Sequence, residues 1–202
     1  MIMTKTDDDW TFSNYVHNKL AKPYIYEPLK WKVINIDENV IRDLDINHGI
    51  DYILENEKGI RIHVQERFRD NYYKAYCDAT LRYRRDFNPN PERIKSEFYK
   101  IKADYLVYGI TNGKKFADQR NTLTGFIKWV VLDIKFIREK FNSGLIKITT
   151  RSGKRICWVE NKPLHCPENR NPDGSSSFLP FDIKLINELW GQQPIIAQKG
   201  FL

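Results

Sequence analysis

The stretch GIDYILENEKGIRIHVQERFR, residues 49–69, decides the fold. Two strand-like runs, at 50–54 and 60–68, are separated by a polar connector that ends in Gly59. The second run alternates between apolar and polar residues, which is typical of a strand because successive side chains point to opposite faces. The pattern predicts a β-hairpin, with Asp51 near the start of its first strand.

The alternation sorts the side chains of the second strand between the two faces of a sheet. The apolar members share one face: Ile60, Ile62, Val64 and Phe68. The polar members share the other: Arg61, His63, Gln65 and Arg67. We therefore expect Gln65 and Arg67 to point together and Asp51 to meet them across the hairpin. Glu66 has the parity of the apolar face. Two readings stay open: Gln65 is the polar partner of Asp51, or a local bulge turns Glu66 toward it.

These residue types suit the hydrolysis of a phosphodiester. Mg²⁺ prefers oxygen ligands and keeps several waters, so a carboxylate and a neighbouring oxygen ligand are enough to hold one ion. Such an ion lowers the pKa of a bound water. A nearby cation such as Arg67 offsets the charge that develops on phosphorus.

Two short segments resemble the PD-(D/E)xK nuclease superfamily, to which many restriction enzymes and repair nucleases belong. They are Gly-Ile-Asp-Tyr at 49–52 and Val-Gln-Glu-Arg at 64–67. A predicted helix at 92–101, followed by an apolar run at 103–110, fits the family's order of elements, and the resemblance covers about residues 10–140. The second motif of the family is usually Asp or Glu, any residue, then Lys. Here Gln65 stands at the acidic position, or Glu66 replaces it, and Arg67 stands where Lys is usual.

The resemblance implies a fold, a cofactor and an activity. The fold would be α/β, with a mixed central β-sheet flanked by helices, restriction-endonuclease-like. Asp51, Gln65 or Glu66, and Arg67 would be catalytic, and Asp51 with Gln65 or Glu66 would bind Mg²⁺. The activity would be Mg²⁺-dependent endonucleolytic cleavage of DNA, as in a type II restriction enzyme that acts as a homodimer. The alternative is a non-catalytic nucleic-acid-binding or interaction module on a degenerate nuclease fold.

Charge supports a polyanionic partner. The net charge is +7, with 7 Lys and Arg against 11 Asp and Glu in residues 1–60, and 26 against 15 in residues 61–202. An acidic first part and a basic remainder suggest a polyanionic partner such as nucleic acid; the alternative is a solvated surface that is basic without such a partner. The expected phosphate contacts are Arg69, Arg82, Arg84, Arg85, Lys100 and Lys102. Tyr83 lies among the arginines at 82–85, and Tyr72, Tyr73 and Tyr76 precede them, an arrangement that suits phosphate contact and base stacking. The alternative is a solvated strand edge protected by charge. His63 is a possible accessory residue that orients water or touches phosphate.

The remaining elements follow from local patterns. Helices are expected at 10–20, 92–101 and 182–190, with a helical turn at 38–44 and a helix that ends before Gly144. Strands are expected at 31–36, 79–85, 103–110, 126–134, 145–150 and 156–159. Pro23 and Pro28 are expected to interrupt regular structure, and 166–177 is expected to be a loop. Residues 1–202 would form a single nuclease-like domain, with a core at about 10–140 and residues 145–202 packed on it.

Length and composition exclude several classes of protein. No apolar run approaches the roughly 20 residues that span a bilayer. The first ten residues carry three consecutive aspartates and no apolar segment, which is unlike a signal peptide. The three cysteines are irregularly spaced and are expected to be reduced. The chain is therefore expected to be cytoplasmic, with no membrane partner.

Overall fold

The computed structural model describes residues 5–85, 94, 97–116, 122–149, 164–171, 174 and 176–202. In chain order the strands are β1 (Lys32–Val33), β2 (Tyr52–Glu55), β3 (Arg61–Arg69), β4 (Asp78–Arg84), β5 (Tyr105–Thr111), β6 (Phe126–Asp133), β7 (Ile146–Thr149), β8 (Leu164–Pro167), β9 (Asn169–Arg170), β10 (Ser177–Asp182) and β11 (Ile195–Lys199). The helices are α1 (Lys5–Val16), which continues as a π-type helix over His17–Tyr26, then α2 (Glu38–His48), α3 (Glu97–Lys100), α4 (Ile134–Asn142) and α5 (Ile183–Trp190).

The predicted hairpin is present and lies inside the main sheet. β2 pairs antiparallel with β3, and the Asn56 side chain closes the connecting turn by accepting hydrogen bonds from the backbone N–H groups of Lys58 and Ile60, each at 3.0 Å. Gly59 takes a positive φ of 71°, which glycine adopts without steric cost. Side-chain and backbone chemistry of the connector therefore set the register of the hairpin.

Six of the described strands form the main sheet, in the order β1-β2-β3-β5-β6-β11. β3 and β5 are parallel, and the other neighbours are antiparallel. α1 and its π-type continuation cover one face of the sheet, and α3, α4 and α5 contribute to the core on the other. This confirms the predicted mixed central sheet flanked by helices. Among the described residues, no helix combines the length and apolar character that a bilayer span requires.

The register of β3 against β5 assigns each side chain of β3 to one of the two cores. Gln65 is level with Leu106, which belongs to the core beneath α3, α4 and α5. Glu66 is level with Val107, which belongs to the core beneath α1. Neither pairing of β3 contains a register shift, so the bulge that would have turned Glu66 to the face of Gln65 is contradicted.

Several predicted boundaries were wrong. The N-terminal helix, expected at 10–20, runs from Lys5 to Tyr26 and passes through Pro23, because its second half has π-type turns, with the Glu27 N–H donating to the Lys22 carbonyl at 2.9 Å. The helical turn at 38–44 is a full helix that runs to His48, and the strand at 31–36 is reduced to two residues. The expected loop at 166–177 contains the end of β8 and all of β9, and β8, β10 and β11 were not predicted. The strand expected at 156–159 lies outside the described residues, as do residues 92, 93, 95 and 96 of the helix expected at 92–101, of which the structure shows α3 (Glu97–Lys100).

A close approach at Gly109 gives a stability prediction. A Cβ at this position would lie 2.6 Å from Cε1 of Phe126 and 3.2 Å from Cδ1 of Phe68. We expect Gly109→Ala to lower the free energy of unfolding by about 1–3 kcal/mol through overpacking, measured from urea midpoints. Gly125→Ala is the matched control, because no atom lies within 4 Å of the added methyl group. Equal midpoints for the two variants would contradict this account of the Gly109 packing.

Candidate functional site

A tight turn after α2 brings two aspartates together. Gly49 ends the helix in the left-handed conformation, with φ of 57°, and its N–H donates to the Asp45 carbonyl at 3.0 Å. A Cβ on Gly49 would lie 3.1 Å from Oε1 of Gln65 and 3.4 Å from Cα of Ile101, so both the conformation and the space favour glycine. The chain reverses here, which places the last turn of α2 beside Asp51 at the entry to β2.

Asp51 is the centre of the hydrogen-bond pattern. Its Oδ2 accepts from Nε2 of Gln65 and from the backbone N–H of Glu66, both at 2.7 Å. Its own backbone N–H donates to the Val64 carbonyl at 2.9 Å, which extends the hairpin ladder. The structure thus brings Asp51 and Gln65 together across the hairpin.

The carboxyl groups of Asp45 and Asp51 lie within hydrogen-bonding reach of each other. Desolvation raises the pKa of Asp51 well above its ordinary value, and the neighbouring Asp45 raises it further, against the opposing effect of the Glu66 N–H. Asp45 is exposed on α2, but its carboxyl is partly desolvated. This desolvation and the charge of Glu97 raise the pKa of Asp45, and its interaction with Asp51 opposes the rise. A proton shared between the two groups relieves the repulsion of like charges. Sequence analysis missed Asp45, although a helix-ending glycine two residues before Asp51 was a signal for this reversal.

Glu66 lies on the opposite face of the sheet. Its carboxylate accepts hydrogen bonds from Tyr26 and from Nδ1 of His17, the latter at 2.8 Å, and all three side chains are buried. The His17 ring stacks on Tyr52 with 3.6 Å between ring centroids. Burial and the Glu66 charge raise the pKa of Tyr26 well above its ordinary value, so Tyr26 stays a neutral donor. The Glu66 carboxylate is committed to this network, and its backbone N–H is the group that contacts Asp51.

Arg67 shares the face of Gln65 but is held by an acid that sequence analysis missed. Its Nη1 lies 2.9 Å from Oε2 of Glu97, and Nη1 of Arg82 lies 3.2 Å from Oε1 of the same residue. Burial lowers the pKa of Arg67 to about 10, so its guanidinium remains charged at neutral pH. Burial opposes the ionisation of Glu97, but Arg67 and Arg82 outweigh it and lower its pKa. The side chains of Arg67 and Glu97 are only 15% and 16% exposed, so this is a shielded ion cluster.

An open cleft of about 1570 Å³ is lined by the residues of the site, namely Asp45, Asp51, Gln65, Arg67 and Glu97. Among the predicted phosphate contacts, Arg69, Arg82 and Arg85 line the cleft together with Asp45 and Asp51. The other three predicted contacts lie outside its lining: Arg84, Lys100 and Lys102. Arg69 also sits over the Tyr73 ring, with its Cζ 5.1 Å from the centroid.

His63 is placed in a separate group. Its backbone N–H donates to Oδ2 of Asp104 at 2.8 Å, and its Nδ1 lies 3.3 Å from the same oxygen. Lys135 binds the other oxygen of Asp104 at 2.5 Å. The side chain therefore shares the face of Gln65 by parity but is not part of the cleft lining.

The donors near Asp51 suit a hard cation. Within the described part of the chain, no group of three or more His, Cys, Asp or Glu side chains could hold a metal ion. The site offers two carboxyl groups and Oε1 of Gln65, a buried atom that has no hydrogen-bond partner. Mg²⁺ is commonly held by one or two carboxylates, with waters and substrate phosphates completing its octahedron, so this oxygen set fits it.

Comparisons of the chain with models of known protein families, with curated proteins and with solved structures gave no match. Its function is therefore inferred from the site itself.

Proposed function

We propose that the chain is a metal-dependent endonuclease that hydrolyses DNA phosphodiester bonds at the Asp45–Asp51 pair. The observation that carries this proposal is the contact of the two carboxyl groups beside the side chain of Gln65, whose buried Oε1 has no hydrogen-bond partner. Two acids in contact, of which Asp51 is desolvated, are unfavourable unless a proton or a cation lies between them. Acids with perturbed pKa values cluster at functional sites, and both of these acids line the cleft.

Asp45, Asp51 and Gln65 would hold the ion. When bound, Mg²⁺ would offset charge on the phosphate and make water a better nucleophile at neutral pH. Asp51 would release its proton on binding, and affinity should therefore rise with pH. The amide of Gln65 now directs Nε2 at Asp51, and a half turn of that amide would exchange the donor for the unpartnered oxygen.

The cations of the cleft divide into two roles. Arg67 is shielded and fixed by Glu97, so it contributes positive potential beside the acids. Arg82 is 32% exposed and lines the cleft, which makes it better placed to contact a phosphate. This distribution moves the direct phosphate contact from Arg67, the position of the family's lysine, to Arg82 on β4, which belongs to a separate three-stranded sheet.

The order of elements supports a restriction-endonuclease-like assignment. An acid opens the first strand of the hairpin, and the second strand is parallel to β5, which follows the helix α3. This order agrees with the order that the sequence resemblance implies. The narrower predictions of a type II restriction enzyme and a homodimer stay predictions.

The test uses supercoiled plasmid and a labelled single strand with and without Mg²⁺ or Mn²⁺. We expect metal-dependent cleavage that EDTA abolishes and that Asp45→Asn lowers by about 100-fold, because the variant loses a charged ligand. Asp43→Asn is the control, since Asp43 is exposed on the same helix and its carboxylate accepts from Asn47. Cleavage by Asp45→Asn at the wild-type rate would refute the site.

A second candidate is a non-catalytic nucleic-acid-binding module on the same fold. The ion cluster favours it, because Glu97 engages the arginine that stands at the family's lysine position. Salt-sensitive DNA binding without cleavage of either substrate in any divalent metal would select this candidate.

A further inference from the structure

Exposed aromatic rings line the same cleft as the candidate site. We name them the aromatic rim: Trp10, Tyr72, Tyr73 and Phe116, which are 71%, 79%, 36% and 52% exposed. Large apolar rings in contact with water are unfavourable, and a group of them in one cleft is typical of a binding surface. Cations lie among them, since Arg69, Lys114 and Lys115 also line the cleft.

The turn that carries Tyr72 is held firmly. It follows β3 directly, and the Asp70 side chain caps it by accepting from the Tyr72 N–H at 3.2 Å. The Asn71 N–H donates to the Gly113 carbonyl at 2.9 Å, which attaches the turn to the end of β5. Tyr73 packs edge-on against Tyr72, with 5.3 Å between centroids. Tyr72 is therefore presented to solvent by a fixed backbone, and little conformational entropy is lost when it binds a ligand.

The opposite side of the rim is also fixed in place. Lys115 forms an ion pair with Asp9 of α1 at 2.7 Å, which joins the segment carrying Phe116 to the helix carrying Trp10. The rim thus combines rings from α1 and from the segments after β3 and β5. Together with the cations it offers what a nucleotide strand presents, namely flat bases and charged phosphates.

We propose that the cleft binds a nucleic-acid strand whose bases are unpaired, with Tyr72 as a stacking platform. The inference deepens the proposed function and rests on it in one respect, that the strand passes the Asp45–Asp51 pair. The physical reason is geometric. In an intact duplex each base face is covered by its neighbours, so an aromatic ring can stack only on a base that is single-stranded or turned out of the helix.

The test measures binding, not cleavage, with the full chain in EDTA. Fluorescence anisotropy compares a labelled oligothymidylate, an RNA strand of the same length and a duplex of the same length. We expect both single strands to bind at least about tenfold more tightly than the duplex. Tyr72→Ala should weaken single-strand binding by roughly 5- to 150-fold, the loss of one stacked base, while Tyr72→Phe stays within about twofold of the wild type.

Tyr24→Ala is the matched control, because Tyr24 is 49% exposed but lies outside the cleft lining. A strand that carries 5-iodouracil should also photocrosslink to Tyr72 or to another ring of the rim. Equal affinity for single strand and duplex, or unchanged binding by Tyr72→Ala, would overturn the inference. Neither result depends on cleavage. A chain that binds single strands as expected but cuts no substrate refutes the proposed function alone. A chain that cuts DNA but binds single strand and duplex equally refutes this inference alone.

Discussion

Asp51→Asn is expected to cleave on the order of 10³-fold more slowly than the wild type and yet to melt at a higher temperature at pH 8. The loss of activity follows from the removal of the charged group at the centre of the site. The gain in stability follows from the geometry. An asparagine oxygen can accept from Gln65 and from the Glu66 N–H as Oδ2 does now, and its NH₂ group can donate to Asp45. The variant keeps these hydrogen bonds, and it avoids the free-energy cost of ionising a desolvated carboxyl group.

The stability of the wild type depends on pH through the Asp51 carboxyl group. The pKa of Asp51 is raised in the folded chain, so the native state holds a proton that the unfolded chain releases near the ordinary aspartate value. Wild-type stability therefore falls as pH rises from about 4 through the folded pKa, and the penalty is complete above it. The advantage of Asp51→Asn should be small at pH 4 and largest at pH 8. A gain of about 1 kcal/mol, common when a functional group is neutralised, raises Tm by about 2–4 °C.

The response of Tm to Mg²⁺ distinguishes a metal site from a desolvated acid that binds no metal. Thermal melts should show wild-type Tm rising with Mg²⁺ at pH 8, because the ion binds the folded state alone. The Tm of Asp51→Asn should not respond. A variant that melts below the wild type at every pH, or that Mg²⁺ stabilises equally, would contradict this account of the acid pair.

Glu97→Ala is expected to lower the free energy of unfolding by about 3–5 kcal/mol. The substitution leaves Arg67 and Arg82 without their shared carboxylate, and it also removes the acceptor of the Arg82 backbone N–H. Removing one member of a shielded ion cluster is costly because the remaining charge is desolvated and unpaired. Urea denaturation at pH 7 measures the loss.

Glu57→Ala is the control, because Glu57 forms an ion pair with Lys30 at 2.7 Å and both side chains are more than 60% exposed. Its removal should change stability by no more than about 1 kcal/mol. The pKa of Glu97 is lowered in the folded chain, so its contribution is present above the ordinary glutamate value and is lost as pH falls through the folded one. A deficit in Glu97→Ala that persists unchanged in strong acid would contradict the ionic explanation.

The sequence carried enough information to predict the central hairpin and the division of its side chains. Strand periodicity of two places Gln65 and Glu66 on opposite faces, and the structure has them there. Strong local signals were sufficient because the connector ends in Gly59 and the strand alternates over nine residues. Chemistry that depends on neighbours along one strand can be predicted in this way.

Contacts between separate elements were not predictable. Asp45 reaches Asp51 only because Gly49 reverses the chain against β2, and Glu97 reaches Arg67 only because α3 packs beside β4. Neither acid has a local pattern that distinguishes it from a solvated helix residue. Pro23 was misjudged because the π-type turns that accommodate it depend on packing against the sheet rather than on local propensity.

Glu66 makes hydrogen bonds on both faces of the sheet, with its backbone amide on one face and its carboxylate on the other. Its amide restrains the acid that faces the cleft, and its carboxylate anchors the N-terminal helix through His17 and Tyr26. The two layers of the molecule are consequently not independent modules. Substitutions that repack the N-terminal helix against the sheet would also shift the Glu66 N–H, a hydrogen-bond donor to Asp51.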